Sequence, residues 1–177
     1  MIDSEKSLED YICNHQEKFI AILKTNMKEK DCDIKFLGRQ VRLGNDNIAD
    51  LIYYYEKLTT YEEIEMNERI YIIVELKYRS LEPKDLAQLS RYMNILEKKL
   101  QSEEKYQEEY ENFVRGVFVS FGENKEMQDI SMRGIDNISF ISFECDLIFH
   151  NDDWDYKEEY LKEIKLDDRL EQLFKKE

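Results

Sequence analysis

The stretch YIIVELKYRS, Tyr71 to Ser80, decides how this chain folds. Its apolar start runs directly into Glu75, Leu76 and Lys77. Side chains alternate across a strand, so Glu75 and Lys77 share one face while Val74 and Leu76 take the other. Two ionisable groups at the end of so hydrophobic a strand cost free energy unless they pair or bind something. Either a local salt bridge satisfies them, or the strand carries a site.

The flanking segments supply partners for this strand. DIKFLGRQVRL reads as a first strand, GND at 44–46 as a tight turn, and NIADLIYYYE as a second strand. The polar, acidic segment 57–69 reads as an extended hairpin tip leading into IYIIVELK, the third strand. Ahead of them, Leu8, Tyr11, Ile12, Phe19, Leu23 and Met27 recur at three- and four-residue steps. That spacing predicts one helix from Ser4 to about Met27, capped by Ser4 or Ser7. Downstream, Pro83 opens a helix with a stripe of Leu86, Leu89, Met93, Leu96 and Leu100. QSEEKYQEEYEN reads as its charged extension, FVRGVFVSFG as a fourth strand, 124–133 as a short helix or loop, and NISFISFECDLIF as a fifth strand. A last helix is expected over about 155–175. Three strands in a meander followed by a crossover helix give an α/β fold, a mixed sheet with helices on both faces.

A chain of 177 residues suits a single domain, with its core over about 4–150. Hydrophobic residues make up 42% of it, and with one Pro and 5 Gly it does not read as disordered. No apolar run is long enough to span a bilayer, and MIDSEKSLED lacks the layout of a secretory signal, so a cytoplasmic protein without a membrane partner is expected. Cys13, Cys32 and Cys145 are far apart and read as core thiols.

The net charge of −14 opposes nucleic-acid binding, which phosphate neutralisation drives, yet it is uneven. Residues 1–100 carry 19 acids and 16 bases, whereas 101–177 carry 21 acids and 10 bases. Lys18 to Arg42 holds seven bases against three acids, so a basic front with an acidic back is consistent with the sequence.

Asp50 lies mid-strand, where aspartate is a poor fit and is rarely buried without a partner. Hairpin neighbours bring Asp50, Glu75 and Lys77 to one edge of the meander. Two close carboxylates repel, and oxygen ligands of this kind favour Mg²⁺ or Mn²⁺. A lysine beside them can orient or help deprotonate a water and stabilise negative charge on a phosphate, which suits phosphodiester hydrolysis. Gln88 and Tyr92, four apart on the following helix, share a face that can reach this strand end, with Tyr92 supporting Gln88. Glu9, beside Leu8 and Ile12, could supply one more carboxylate.

Each residue also has a plainer reading. Glu75 and Lys77 could be an edge-strand pair, Gln88 and Tyr92 boundary residues, and Glu9 a complement to a helix N-terminus. His150 in HNDD at 150–153 reads as helix capping before metal ligation, and Trp154 as packing of the tail. YYYE at 53–56 reads as core and hairpin packing before base stacking.

IADLI, VELK and QLSRY, with SLEDYI ahead of them, resemble the PD-(D/E)XK nuclease superfamily. The likeness is to the branch with a Q-x-x-x-Y helix, shared by RecB-type, NucS-like and YhcG-like nuclease domains. FLGRQVRLGNDNIADLIYYYEK also resembles the pattern in which a G-R-Q strand leads into a D-L-L strand. The resemblance covers roughly residues 4–100 by motif. It implies a restriction-endonuclease-like α-β-β-β-α-β core. It also implies metal ligation by Asp50, Glu75 and the Leu76 carbonyl, a catalytic Lys77, a site-organising Gln88 and an accessory Glu9. Ala49 stands where the family's leading proline is expected, and segment 57–69 and the acidic tail lie outside the shared pattern.

The expectation is a Mg²⁺- or Mn²⁺-dependent nuclease acting on DNA, with Arg39, Arg79, Arg91 and Tyr92 at the nucleic acid. The alternative is a catalytically silent binding module or regulator on the same fold, for example a phage-encoded inhibitor, taking a nucleic-acid or protein partner. The acidic C-terminal region suits a basic protein partner, and the tail helix is a candidate homodimer contact.

Overall fold

A computed structural model describes residues 3–102, 110–121 and 137–143. The chain opens with α1 (Glu5–Asn14) and α2 (Gln16–Met27), where the apolar periodicity predicts one continuous helix. The Ser4 side chain accepts the Ser7 N–H, and the Ser7 hydroxyl accepts the Ser4 N–H, a reciprocal cap. The break falls at His15, whose Nδ1 lies 2.6 Å from the Tyr11 carbonyl. That carbonyl is the one a continuing helix would offer to the His15 N–H, which turns to Ile12 O instead.

Three strands follow as a meander: β1 (Lys35–Gly44), β2 (Asn47–Tyr61) and β3 (Ile64–Lys77). Both hairpins are antiparallel. The segment at 57–69 is strand on both sides, reversing at Glu62–Glu63 with φ of 47° and 71°. Such a tight turn ordinarily takes Asn and Gly, so two glutamates gave no local signal for it. α3 (Pro83–Ser102) crosses over the sheet to β4 (Glu111–Phe121), which runs parallel to β3. Glu111 and Asn112 therefore belong to a strand and not to the charged helix extension. β5 (Ile138–Phe143) adds in parallel beyond β4, giving the sheet order β1-β2-β3-β4-β5. The α-β-β-β-α-β order and the mixed, helix-flanked sheet are those the resemblance implies.

The two faces of the sheet are buried under different helices. Leu8, Ile12, Phe19 and Leu23 pack on Leu51, Tyr53, Ile70, Ile72 and Val74. Leu86, Leu89, Met93, Leu96 and Leu100 pack on Ile52, Tyr71, Ile73 and Phe118. Covered on both sides, β3 is buried continuously from Ile70 to Lys77, which is why it reads as an unbroken apolar run. Each fully buried aliphatic side chain here contributes about 1.5–3 kcal/mol. At Gly116 the close approach of α3 leaves no room for a side chain. A Cβ there would sit 2.8 Å from Leu89 Cδ2 and 2.9 Å from Met93 Sδ.

Tyr53 and Tyr55 are core residues, and Tyr54 stacks on Tyr71. Cys13 and Cys32 are free thiols at the margin of the core, half-buried and not enclosed. Cys145, His150, Trp154, segment 124–133, the expected end of the fifth strand and the expected C-terminal helix lie outside the described residues. Among the described residues no helix is long and apolar enough to cross a membrane.

Candidate active site

The register of the β2–β3 hairpin places the site. Its last ladder pair is Leu51 with Val74, and one step further the same register sets Asp50 opposite Glu75. There the Asp50 side chain takes over from the backbone ladder: its Oδ2 accepts the Leu76 N–H at 2.8 Å. Glu75 and Lys77, two apart on β3, point to the α3 side, and Lys77 Nζ donates to Glu75 Oε1 at 3.0 Å. Gln88, in the second turn of α3, donates to the same Oε1 at 2.8 Å and to the Tyr92 hydroxyl at 2.8 Å. From the opposite face, α1 brings Glu9 to this edge, where Gln40 of β1 donates to Glu9 Oε2 at 2.6 Å and to Asp50 Oδ1 at 3.2 Å.

Asp50, Glu75, Lys77, Gln88 and Glu9 thus converge from four elements. Gln40, the glutamine of the G-R-Q strand, to which the sequence reading gave no site role, joins them from a fifth. Lys6, Glu9, Arg39, Gln40, Asp50 and Leu76 line a cleft of about 460 Å³ beside this edge. A second cleft of about 610 Å³, lined among others by Leu100, Tyr110 and Phe113, lies at the other end of the sheet, away from these residues.

Electrostatics mark the same edge. Glu75 is only 2% exposed, and burial first, then the Asp50 charge, push its pKa up to about 7 against the pull of Lys77. Burial raises the pKa of Asp50 too, opposed by the Leu76 N–H and by Lys77. Glu9 is raised by burial, with the Gln40 hydrogen bond opposing and Asp50 adding to the rise. Burial works against the Lys77 ammonium, but Glu75 outweighs it and holds the lysine more firmly protonated. Three carboxyls are thus made reluctant to ionise, chiefly by burial, with Lys77 and Arg39 opposing the rise.

The chemistry of the donor set bears on a cation. Glu75 Oε2 is buried and has no hydrogen-bond partner among the described residues, although the other carboxylate oxygen has two. Among the described residues no three His, Cys, Asp or Glu side chains form a ready-made metal-ligating group. Carboxylate oxygens of this kind, from Asp50 and Glu75, suit a hard divalent cation.

The basic residues divide. Arg39 stands at the cleft, half-exposed, donating to Asp10 Oδ1 at 2.9 Å with its Nε 3.8 Å from Glu9. Arg91 is exposed, with its guanidinium 5.8 Å from the Tyr92 ring. Arg79 corrects the expectation of a phosphate contact: its two terminal nitrogens fork onto Asp85 at 2.8 Å each. Asp85 is buried and also accepts the Glu82 N–H, so this pair fastens the start of α3. Tyr92 is a second correction, because it is 5% exposed and its hydroxyl accepts from Gln88. It braces the glutamine and does not face solvent.

No protein-family model and no curated protein matches the sequence. Among solved structures, similarity is found to a repair endonuclease from Pyrococcus abyssi, at 17% identity and a TM-score of 0.39, over 73% of this chain and 46% of that one. An EndoMS–double-stranded DNA complex is similar at 20% identity and a TM-score of 0.35, over 72% and 44%. The MspJI restriction endonuclease with a 27-mer oligonucleotide is similar at 14% identity and a TM-score of 0.39, over 78% and 28%. The chain spans less than half the length of each of these three proteins.

Proposed function

We propose that this chain is a divalent-metal-dependent nuclease of the PD-(D/E)XK type that hydrolyses phosphodiester bonds in DNA. The observation that carries the reading is the buried Glu75 Oε2, without a hydrogen-bond partner among the described residues, on the edge it shares with Asp50, beside a lysine and a glutamine that fix the other oxygen. Asp50, Glu75 and the Leu76 carbonyl would hold Mg²⁺ or Mn²⁺, with Glu9 as the accessory acid. When bound, the cation supplies positive charge that acidifies water and offsets the charge of the phosphate.

The protein's own groups have distinct tasks. The Leu76 N–H and Gln40 each fix one oxygen of Asp50, so its carboxylate enters the reaction already oriented. Gln88, braced by Tyr92, does the same for Glu75. Lys77 is held protonated by Glu75, so it acts as a donor. It orients the attacking water and stabilises negative charge gathering on the phosphate. Arg39 and Arg91 are the basic residues left to meet the phosphate backbone.

A second reading, a catalytically silent binding module on the same fold, is favoured by the net charge of −14. Supercoiled plasmid and single-stranded circles incubated with Mg²⁺ or Mn²⁺ separate the two. Cutting by the parent that Lys77→Ala abolishes supports the nuclease. A folded parent that cuts neither substrate with either ion overturns it in favour of the binding module.

A further inference from the structure

We propose that Gln40 is a positioning residue that carries the Glu9 carboxylate of α1 to the Asp50 edge, a role resting on the reading of that edge as a cation site. Its side-chain nitrogen lies 2.6 Å from Glu9 Oε2 and 3.2 Å from Asp50 Oδ1. A carboxamide nitrogen has two hydrogens, and both are claimed by acids. The amide is therefore oriented with nitrogen toward the site, since its oxygen would face two acceptors.

Three further observations show that the position is built for this contact. The pairs Arg39–Leu51 and Val41–Ala49 place Gln40 directly across from Asp50. That alignment depends on the register shift between Arg42 and Gly44. Counted from the turn pair Gly44–Asn47 without it, Val41 would stand there instead. Gln40 also holds a φ of 50°, a left-handed backbone that glutamine rarely adopts and that strong side-chain contacts must offset.

The choice of a neutral donor matters as well. Glu9 and Asp50 repel each other, and a lysine or arginine in this place would bind them by neutralising them. A carboxamide holds both carboxylates without adding to the positive charge of Arg39, whose Nε lies 3.8 Å from Glu9 Oε1. Leu8 and Ile12 bury the apolar face of α1, and Gln40 fixes where the adjoining acid points.

The test uses Gln40→Asn and Gln40→Gly in the full chain, because both replacements accept left-handed backbone. Asparagine keeps the amide one methylene too short, and glycine removes it. Mn²⁺ affinity is titrated calorimetrically without nucleic acid, alongside circular dichroism and melting. Both variants are expected to keep the parent's fold and to bind Mn²⁺ at least about tenfold more weakly, the usual loss when the groups orienting a ligand are removed. The double variant Glu9→Ala/Gln40→Asn is expected to lose less than the sum of the two single losses, because without Glu9 only the Asp50 contact is left for Gln40 to act through. Parent-like affinity in both single variants, or losses that simply add in the double variant, overturns the role of Gln40 and leaves the cation site standing. A parent that takes up no Mn²⁺ overturns the cation site and this role with it.

Discussion

Replacing Glu75 with glutamine should make the metal-free protein more stable at alkaline pH while disabling the proposed site. The Glu75 carboxyl has its pKa raised from 4.5 to about 7 in the folded chain. Below about pH 4.5 it is protonated in both folded and unfolded states, and its favourable contribution is fully present. Between there and pH 7 the unfolded chain has released the proton while the folded chain still holds it, so stability falls as pH rises. Above pH 7 the loss is complete, and at 1.36 kcal/mol per pH unit it amounts to about 3 kcal/mol. Glutamine keeps an oxygen for Lys77 and Gln88 but never has to ionise. Urea unfolding in EDTA at pH 5 and pH 8.5 should therefore show the variant ahead of the parent by about 2–3 kcal/mol at the higher pH, with most of that advantage gone at pH 5. Asp50 and Glu9, raised in the same direction, leave a weaker residual slope in both proteins. Mg²⁺ at pH 8.5 should close the gap by stabilising the parent alone. A variant less stable than the parent at pH 8.5, with an unchanged pH slope, refutes the claim that Glu75 ionises at a cost.

Gly116→Ala should lose about 1–3 kcal/mol, because its methyl would meet Leu89 and Met93 at under 3 Å; an unchanged urea midpoint would contradict the tight α3–β4 contact. Arg79→Ala should lose about 1–2 kcal/mol by stranding buried Asp85, yet leave the salt dependence of DNA binding unchanged. Arg39→Ala should lower that salt slope by about 1 at little cost in stability, since its ion pairs are exposed. If the two arginines exchange these effects in binding titrations across salt, their roles here are reversed. Tyr92→Phe should cut the cleavage rate about tenfold or more by unbracing Gln88, without moving the melting temperature by more than a few degrees; a parent-like rate would make Tyr92 a packing residue only.

The sequence shows most clearly what is governed by periodicity. The buried run ending in Glu75 and Lys77 announced a central strand, and the stripe from Leu86 to Leu100 announced the helix that covers it. Asp50 stood out because a carboxylate is costly in a strand, and Gln88 with Tyr92 because their four-residue spacing puts them on one face. The break at His15 was hidden, since it comes from a side chain competing for one carbonyl and leaves the apolar spacing intact. Gln40 stood in the quoted G-R-Q strand, but its role was hidden for another reason. Its place across from Asp50 is set by a register shift in β1, and a hairpin bulge leaves little trace in a single sequence. Arg79 misled because charge alone does not say whether a guanidinium meets solvent or, as here, a buried aspartate six residues on.

That Asp50 and Glu75 share one divalent cation is tested most directly by anomalous diffraction from crystals grown with Mn²⁺. The expected map shows a manganese peak contacting an Asp50 oxygen and the otherwise unpartnered Glu75 Oε2. Manganese bound only elsewhere, or none at all with Glu75 Oε2 still unpartnered at alkaline pH, would contradict it.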